Sequence, residues 1–508
     1  MSSRARILPL LVVAAMLALT ACAPDTDPDW EPEGWDVTGR VVTELPAPTA
    51  ASMPTLTGER LRNDEVGVSA RWATLPRHPE FNDAVESEVR AAIARQEETS
   101  GVAYQPVAQA VGAGLDERGC APEATTQPAS ALLGEGLRER TVVVCEIVFA
   151  AGDVLGERLR IVQGRADEVT GDEVVTVYAD TATGRIARSA DLVGDAPALW
   201  NDIVEVLRRE AGALGTGPIE APSETDLAAL HAALADAVFA GEELVLPLPA
   251  GFTAVELEGL AAWRPPGPDN PVGVALPRAV YEPLLTDSGR LIAAAHGSYT
   301  GPQASGPAPA PCDLVPCMAM TLDDGPGSLT PAILDALHAR SSSATFYMLG
   351  ENARRNPDLV RRVADEGHEI GNHTWNHPTL TKMTDDEILA EVRDTGALLR
   401  GLSGQPVATF RPPYGEVDDR VLDLVAMPAV LWSVDTRDWA GPGDAELIAA
   451  TVQAPRAGSI VLMHDIQAAT ARAFPAILDG LRDRGFSLVT VDALFDGRVP
   501  AGIVRSAP

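Results

Sequence analysis

Met318-Ala319-Met320-Thr321-Leu322-Asp323-Asp324-Gly325-Pro326 is a short apolar run that ends on two adjacent carboxylates and a Gly-Pro pair. The apolar character predicts a short strand over 318–322 that ends at the acidic pair; adjacent aspartates before a glycine are in themselves often only a turn. The same grammar repeats downstream. Residues 344–348, 369–372, 407–410, 430–434, 459–463 and 487–491 read as six more strands. Between them, 330–340, 357–366, 385–402, 418–425, 445–452 and 471–484 carry apolar residues at helical spacing. Strands alternating with helices over seven units predict an α/β fold, a distorted (β/α) barrel of about seven parallel strands.

The polar residues fall where such a barrel builds sites. Asp323, Asp324, Arg411, Asp435, Asp438 and His464 lie at or just after the C-terminal ends of predicted strands. In a parallel barrel those ends share one rim, so residues distant in sequence converge. His373-Thr374-Trp375-Asn376-His377 follows the strand at 369–372. Asp324 offers an oxygen, and His373 and His377 offer two nitrogens. Three protein ligands leave coordination positions open to water, the arrangement of a catalytic metal. Asp323 is left over as a general base. Two imidazoles and a carboxylate make Zn2+ the expected ion, with Co2+, Ni2+ and Mn2+ as alternatives.

At 508 residues, two or three domains are expected. Hydrophobic content of 46% with 22% charged residues fits globular folding. A net charge of −33 argues against nucleic-acid binding, which needs a basic face. Arg4 and Arg6 precede an apolar stretch, 7–19, too short for a membrane span. Leu19-Thr20-Ala21-Cys22 then resembles the bacterial lipobox, which implies a signal peptide over 1–21 and a lipid on Cys22. The chain is therefore expected on the extracellular face of the bacterial membrane. Residues 22–57 read as a flexible tether. A Pro/Gly/Ala-rich linker at 301–312 separates an α+β region, 58–300, from the barrel, 313–500. Of the remaining cysteines, Cys120 with Cys145 and Cys312 with Cys317 form the simplest disulfide pairs; a zinc site built from the four is the alternative.

Five segments, in order, resemble the motifs of the polysaccharide deacetylase family, the NodB-homology domain of carbohydrate esterase family 4. They are Thr321-Leu322-Asp323-Asp324-Gly325, His373-Thr374-Trp375-Asn376-His377, Arg411-Pro412-Pro413-Tyr414-Gly415, Asp435-Thr436-Arg437-Asp438-Trp439 and Leu462-Met463-His464-Asp465. One departure is Leu322, where the family usually has Phe; this apolar exchange predicts local repacking. The resemblance implies a metal-dependent hydrolase that removes N-acetyl groups from amino sugars, with cell-wall peptidoglycan as the expected substrate. It implies Asp323 as base, oriented by Arg411, and His464 as acid, held by Asp438. It further implies that the Tyr414 N–H holds the oxyanion and that Trp439 and Leu462 wall the acetyl methyl. Asp465 is left as a supporting residue. His78, His231, His296, His338 and His368 have no such setting and read as structural or surface residues.

The N-terminal region loosely resembles the RsiV-type extracellular domain through a strand, Asp180-Thr181-Ala182-Thr183-Gly184-Arg185, Ala190-Asp191-Leu192-Val193 and a helix. That implies a wall-facing binding module; a spacer is the plainer reading. Alternatives for the whole chain are an O-acetyl polysaccharide esterase, a chitin-oligomer deacetylase and a non-catalytic wall-binding or lysozyme-sensing lipoprotein.

Overall fold

The computed structural model describes residues 39–45, 49–50, 55–136, 138–213, 217–267, 269–303 and 309–508. The signal segment and Cys22 lie outside the described residues. Among the described residues, no helix is long and apolar enough to cross a membrane.

The strand at the acidic pair spans Cys317–Asp323 and is buried along its whole length, as a strand covered on both faces must be. It pairs in parallel with Ile460–His464 on one side. On its other side it pairs with Ser487–Val489 near its start and with Thr345–Met348 near its end. Glu369–Asn372 and Val434–Asp435 extend the ladder outward. Helices including Thr330–His338, Asp385–Ser403 and Ala468–Asp483 connect these strands. Asp385–Ser403 starts on a capping box in which Thr384 and Glu387 satisfy each other's backbone N–H groups. It stops on Gly404, whose φ of 70° suits glycine.

The α/β class with a parallel sheet is present, but seven regular strands are not. The strand expected at 407–410 contracts to Phe410, which bridges Asn372 on one side and Ala429 on the other. The strand expected at 430–434 breaks into Ala429–Val430 and Val434–Asp435. Pro412 and Pro413 follow Arg411 and have no N–H to carry the ladder past Phe410. Arg411 Nε and Nη2 instead donate to the carbonyls of Val430 and Leu431, at 2.8 and 3.2 Å. The sheet therefore does not close through continuous pairing. The fold also runs past residue 500, because Ile503–Val504 pairs in parallel with Ala429–Val430.

The N-terminal region is α+β. Thr57–Asn63, Val68–Thr74, Arg140–Ala151, Val154–Arg165, Glu168–Asp180 and Arg185–Arg188 form a sheet in that order, backed by the helix Pro79–Ser100. A second antiparallel sheet joins Val238–Ala240, Glu243–Pro247 and Gly273–Pro277. Its remaining edge is taken by Arg40–Val42. The tether expected over 22–57 thus gives up Arg40–Val42 to this sheet, and Thr49–Ala50 and Thr57 to the first. Arg-Val-Val is too short to show a period, and the backbone hydrogen bonds of an open sheet edge recruit it.

The two regions share one apolar core. Leu61, Trp72 and Phe81 from the first cluster with Val315, Tyr347 and Ile460 from the second. A strap ending at Arg118 crosses between them. The Gln109 and Leu115 N–H groups donate to the Arg484 and Asp483 carbonyls, and buried Arg118 donates to the Phe486 carbonyl at 2.7 Å. These contacts fall around the start of Ser487–Val489, at the end of the sheet opposite Asp323. Disulfides join Cys120 to Cys145 and Cys312 to Cys317. The four-cysteine zinc alternative is thereby removed, since a bonded sulfur has no thiolate to offer.

Candidate active site

Asp323 and His464 are direct neighbours in the parallel register, so the end of the central sheet places a carboxylate beside an imidazole. Past Asp323 the backbone turns sharply. Asp324 takes a φ of 71°, a region costly for a residue with a Cβ. Asn352 Nδ2 holds its carbonyl at 2.7 Å. The next residue must be glycine: a Cβ on Gly325 would lie 2.2 Å from the buried Asp465 carboxylate oxygens. That contact explains Asp465. It packs beneath the turn, accepts from Thr330 Oγ1 at 2.5 Å, and burial pushes its pKa up to about 7. Thr374, His377, Tyr414 and Arg437 also hold positive φ. Strained backbone thus gathers on one rim, where surrounding structure must enforce it.

The three predicted ligands converge. Asp324 Oδ1 lies 3.5 Å from His373 Nε2 and 3.6 Å from His377 Nε2. Ligands bonded to one ion at 2.0–2.1 Å in a tetrahedral arrangement sit roughly 3.4 Å apart, so the spacing fits a divalent metal. Asp324 Oδ1 is buried and, among the described residues, has no hydrogen-bond partner, a cost that an ion removes. His373 Nδ1 lies 2.7 Å from the Arg411 carbonyl. Donation there fixes the tautomer and frees Nε2 as a ligand. Burial pushes Asp324 upward, but the neighbouring His373, His377 and His464 rings outweigh it, and its pKa lies below the usual carboxylate range. Burial, then the His373 charge, holds His377 below the ordinary imidazole value, which favours the neutral ligand form. The His377 loop is tied down where the Trp375 and Asn376 N–H groups donate to Glu391 Oε2.

Asp323 is buried and its Oδ1 accepts from Arg411 Nη1 at 2.8 Å. Arg411 is fully buried, donates also to Thr321 Oγ1 at 2.8 Å, and stacks 4.2 Å from the Tyr347 ring centroid. Strand residues and the carbonyls of Val430 and Leu431 fix this guanidinium on all sides, so Asp323 is held in one orientation. Asp323 Oδ2 faces His373 Nε2 at 3.7 Å, on the side of the three ligands.

Beside Asp323, His464 Nδ1 lies 2.8 Å from Asp438 Oδ1. Asp438 is buried and accepts three further bonds, from the His464 N–H at 2.8 Å, the Trp439 N–H at 3.0 Å and Thr470 Oγ1 at 2.6 Å. Burial alone lowers an imidazole pKa. The Asp438 hydrogen bond and the Asp323, Asp438 and Asp324 charges reverse this and raise His464 to about 9. Tyr414 and Trp439 stand 63% and 57% exposed at the rim, and Leu462 is buried below. The Tyr414 ring packs edge-on to His377, with centroids 4.5 Å apart. His368, expected to be structural, is buried against Phe346 and held neutral, with burial lowering its pKa to about 4.

All ten predicted site residues of the barrel share this rim or the wall directly below it. Thr321, Tyr347, Asn352, Glu391 and Thr470 escaped sequence reasoning. Only Thr321 carried a signal, as a lone polar residue inside an apolar strand.

A family model described as polysaccharide deacetylase matches residues 312–427. The peptidoglycan-N-acetylglucosamine deacetylase PgdA of Listeria monocytogenes serotype 1/2a is 38% identical over 186 residues, covering 36% of this chain and 40% of that protein. The peptidoglycan-N-acetylmuramic acid deacetylase PdaC of Bacillus subtilis is 36% identical over 178 residues, covering 35% and 38%. A peptidoglycan-N-acetylglucosamine deacetylase of Bacillus cereus is 38% identical over 186 residues, covering 35% of this chain and 87% of its own length. The chain thus spans about two fifths of the length of the Listeria and Bacillus subtilis proteins.

Proposed function

Because this chain belongs to the polysaccharide deacetylase family, we propose that it hydrolyses the acetamide of N-acetylated amino sugars in a cell-wall polysaccharide, peptidoglycan foremost. One observation carries the reading. The Asp324, His373 and His377 ligand atoms converge beside an Asp323 locked by Arg411 and a His464 locked by Asp438. A divalent ion held there, zinc foremost, supplies Lewis acidity to the acetamide carbonyl and lowers the pKa of water.

The chain's own residues do the rest. Arg411 beside Asp323 favours the ionised, oriented carboxylate, so Asp323 can take the proton of the attacking water. The Tyr414 N–H donates to the oxygen that gains charge. Trp439 and Leu462 wall the acetyl methyl. His464, protonated below about pH 9, gives its proton to the departing amine. Acetate leaves and the sugar keeps a free amine.

Two finer readings accompany this one. The bridges at Phe410 support a distorted barrel of about seven strand positions. The lipobox-like segment supports a lipid anchor on Cys22 at the outer membrane face, with the RsiV-type region placing the enzyme at the wall. Mass spectrometry of the mature N-terminus tests the anchor. The catalytic reading is tested by acetate release from purified peptidoglycan by the metal-loaded protein. Release must vanish with a chelator and in Asp323→Asn. Release from acetylated xylan or chitin oligomers alone overturns the substrate, and no release from any of them overturns the activity.

A further inference from the structure

The catalytic rim leaves unexplained a groove of about 1090 Å³ in the N-terminal region. It opens at the start of the short parallel pairing of Val68–Ala70 with Thr141–Val143, lined by residues 64–69 and 138–141. The groove is built rather than left over. Buried Gln96 donates from Nε2 to the Val66 carbonyl at 3.1 Å and the Glu139 carbonyl at 3.3 Å, and accepts from Thr141 Oγ1 at 2.8 Å. One side chain thus ties the helix, the hairpin and the strand that form its walls. Gly67, at a φ of 86°, lets the hairpin approach, because a Cβ there would meet the Glu139 carbonyl at 2.8 Å.

Four arginines line this groove: Arg60, Arg62, Arg138 and Arg140. Arg62 is neutralised by Asp64 at 2.8 Å. Arg60 donates to the backbone carbonyls of Gly114 and Glu117. Arg140 reaches only the Leu133 carbonyl, at 3.5 Å. Among the described residues, Arg60, Arg138 and Arg140 form no ion pair. The chain holds 72 acids against 39 lysines and arginines, so acidic partners are in excess. Three guanidiniums thus share one groove without an ion pair, with the Asp116 and Glu117 carboxylates near Arg60, and their forks stay open to a ligand. Glu65 and Glu139 also line it and offset part of this charge. Val66, Val68 and Val102 add apolar wall, and Ser69, Thr99 and Ser100 add hydroxyls. Guanidinium forks match carboxylates bidentately, and mixed apolar and hydroxyl walls suit a peptide better than a uniformly charged polymer.

We propose that this groove binds a carboxylate-bearing peptide, the stem peptide attached to the glycan that the catalytic rim works on. The assignment rests on the peptidoglycan reading above. Because the groove and the rim belong to regions joined through one core, a bound stem would hold the attached glycan near the enzyme between turnovers.

The experiment titrates stem peptides, freed of glycan by an amidase, into the full chain and follows binding by calorimetry. The double variant Arg138→Ala/Arg140→Ala removes two exposed guanidiniums. It should bind about tenfold or more weakly, while the Lys/Lys version keeps part of the affinity. Thermal melting should be unchanged. Acetate release from short N-acetylglucosamine oligomers should also be unchanged, while KM on intact peptidoglycan rises at constant kcat. Equal binding by the Ala variant and the wild type overturns the proposal. So does binding confined to a phosphate-bearing wall polymer, or no peptide binding. Calorimetry needs no turnover, so peptide binding by a protein that releases no acetate would separate failure of the catalytic reading from failure of this one.

Discussion

Replacing Asp438 with Asn removes one charge and almost no volume, and its consequences can be worked out bond by bond. The native carboxylate accepts four hydrogen bonds, two at each oxygen. An amide has one acceptor oxygen. If its nitrogen replaces Oδ2, it faces the His464 N–H; if it replaces Oδ1, it faces the Trp439 N–H. Either way a backbone donor is orphaned, at about 1–3 kcal/mol. The proton balance shifts as well. His464 rises from 6.5 to about 9 in the native protein, and the Asp438 hydrogen bond is the largest upward contribution. The folded state therefore holds a proton more tightly than the unfolded chain does. That stabilisation is fully present below pH 6.5 and is lost as the pH rises through 9, with a full value of about 3 kcal/mol. The basic limb of the rate profile should fall by roughly one to two pH units in Asp438→Asn, because Asp323 and Asp324 still face the ring. At neutral pH kcat on an N-acetylglucosamine oligomer should drop by about 10²–10⁴, the usual contribution of a positioned general acid. The assay is acetate release between pH 5 and 10, with p-nitrophenyl acetate as control, since its leaving group needs no proton and its hydrolysis should be largely spared. An unshifted limb with kcat within about twofold of wild type, or equal loss on both substrates, would refute the assignment of His464 as acid held by Asp438.

Asp324→Ala removes the only oxygen among the three ligands; metal content of the purified variant should fall to background while its melting temperature without metal changes little. Gly325→Ala drives a Cβ into the Asp465 carboxylate, and should cost about 1–3 kcal/mol in denaturant unfolding with loss of activity. Glu157 is fully buried, and burial raises its pKa from 4.5 to about 8 despite the Ala73 N–H bond. The native state therefore keeps a proton that the unfolded chain releases, and stability falls as the pH rises from 4.5 to 8, by up to about 5 kcal/mol. Glu157→Gln should flatten that slope and gain most near pH 8, as read from urea midpoints; a variant with the wild-type slope would sink this account.

Sequence alone determined the chemistry and its order along the chain. A buried parallel strand needs a near-continuous apolar run, so Cys317–Asp323 and Ile460–His464 were legible within a residue or so, and polar residues at their ends stood out. The pairing of Cys120 with Cys145 and of Cys312 with Cys317 was legible too, each within its own segment. What sequence did not reveal is whatever depends on partners distant along the chain. The carbonyls of Val430 and Leu431 are satisfied by the Arg411 side chain and not by a neighbouring strand, a pairing that no local pattern shows. Arg40–Val42 has no period, and is a strand only because Gly273–Pro277 offers an open edge. Thr470 carries no motif and matters through one hydrogen bond to Asp438. The Pro-rich stretch looked like a divider, but Trp72 and Tyr347 belong to one core across it. Periodicity and turn chemistry are local and survive in one dimension; the satisfaction of buried donors and the sharing of apolar surface are not, and only the tertiary structure decided them.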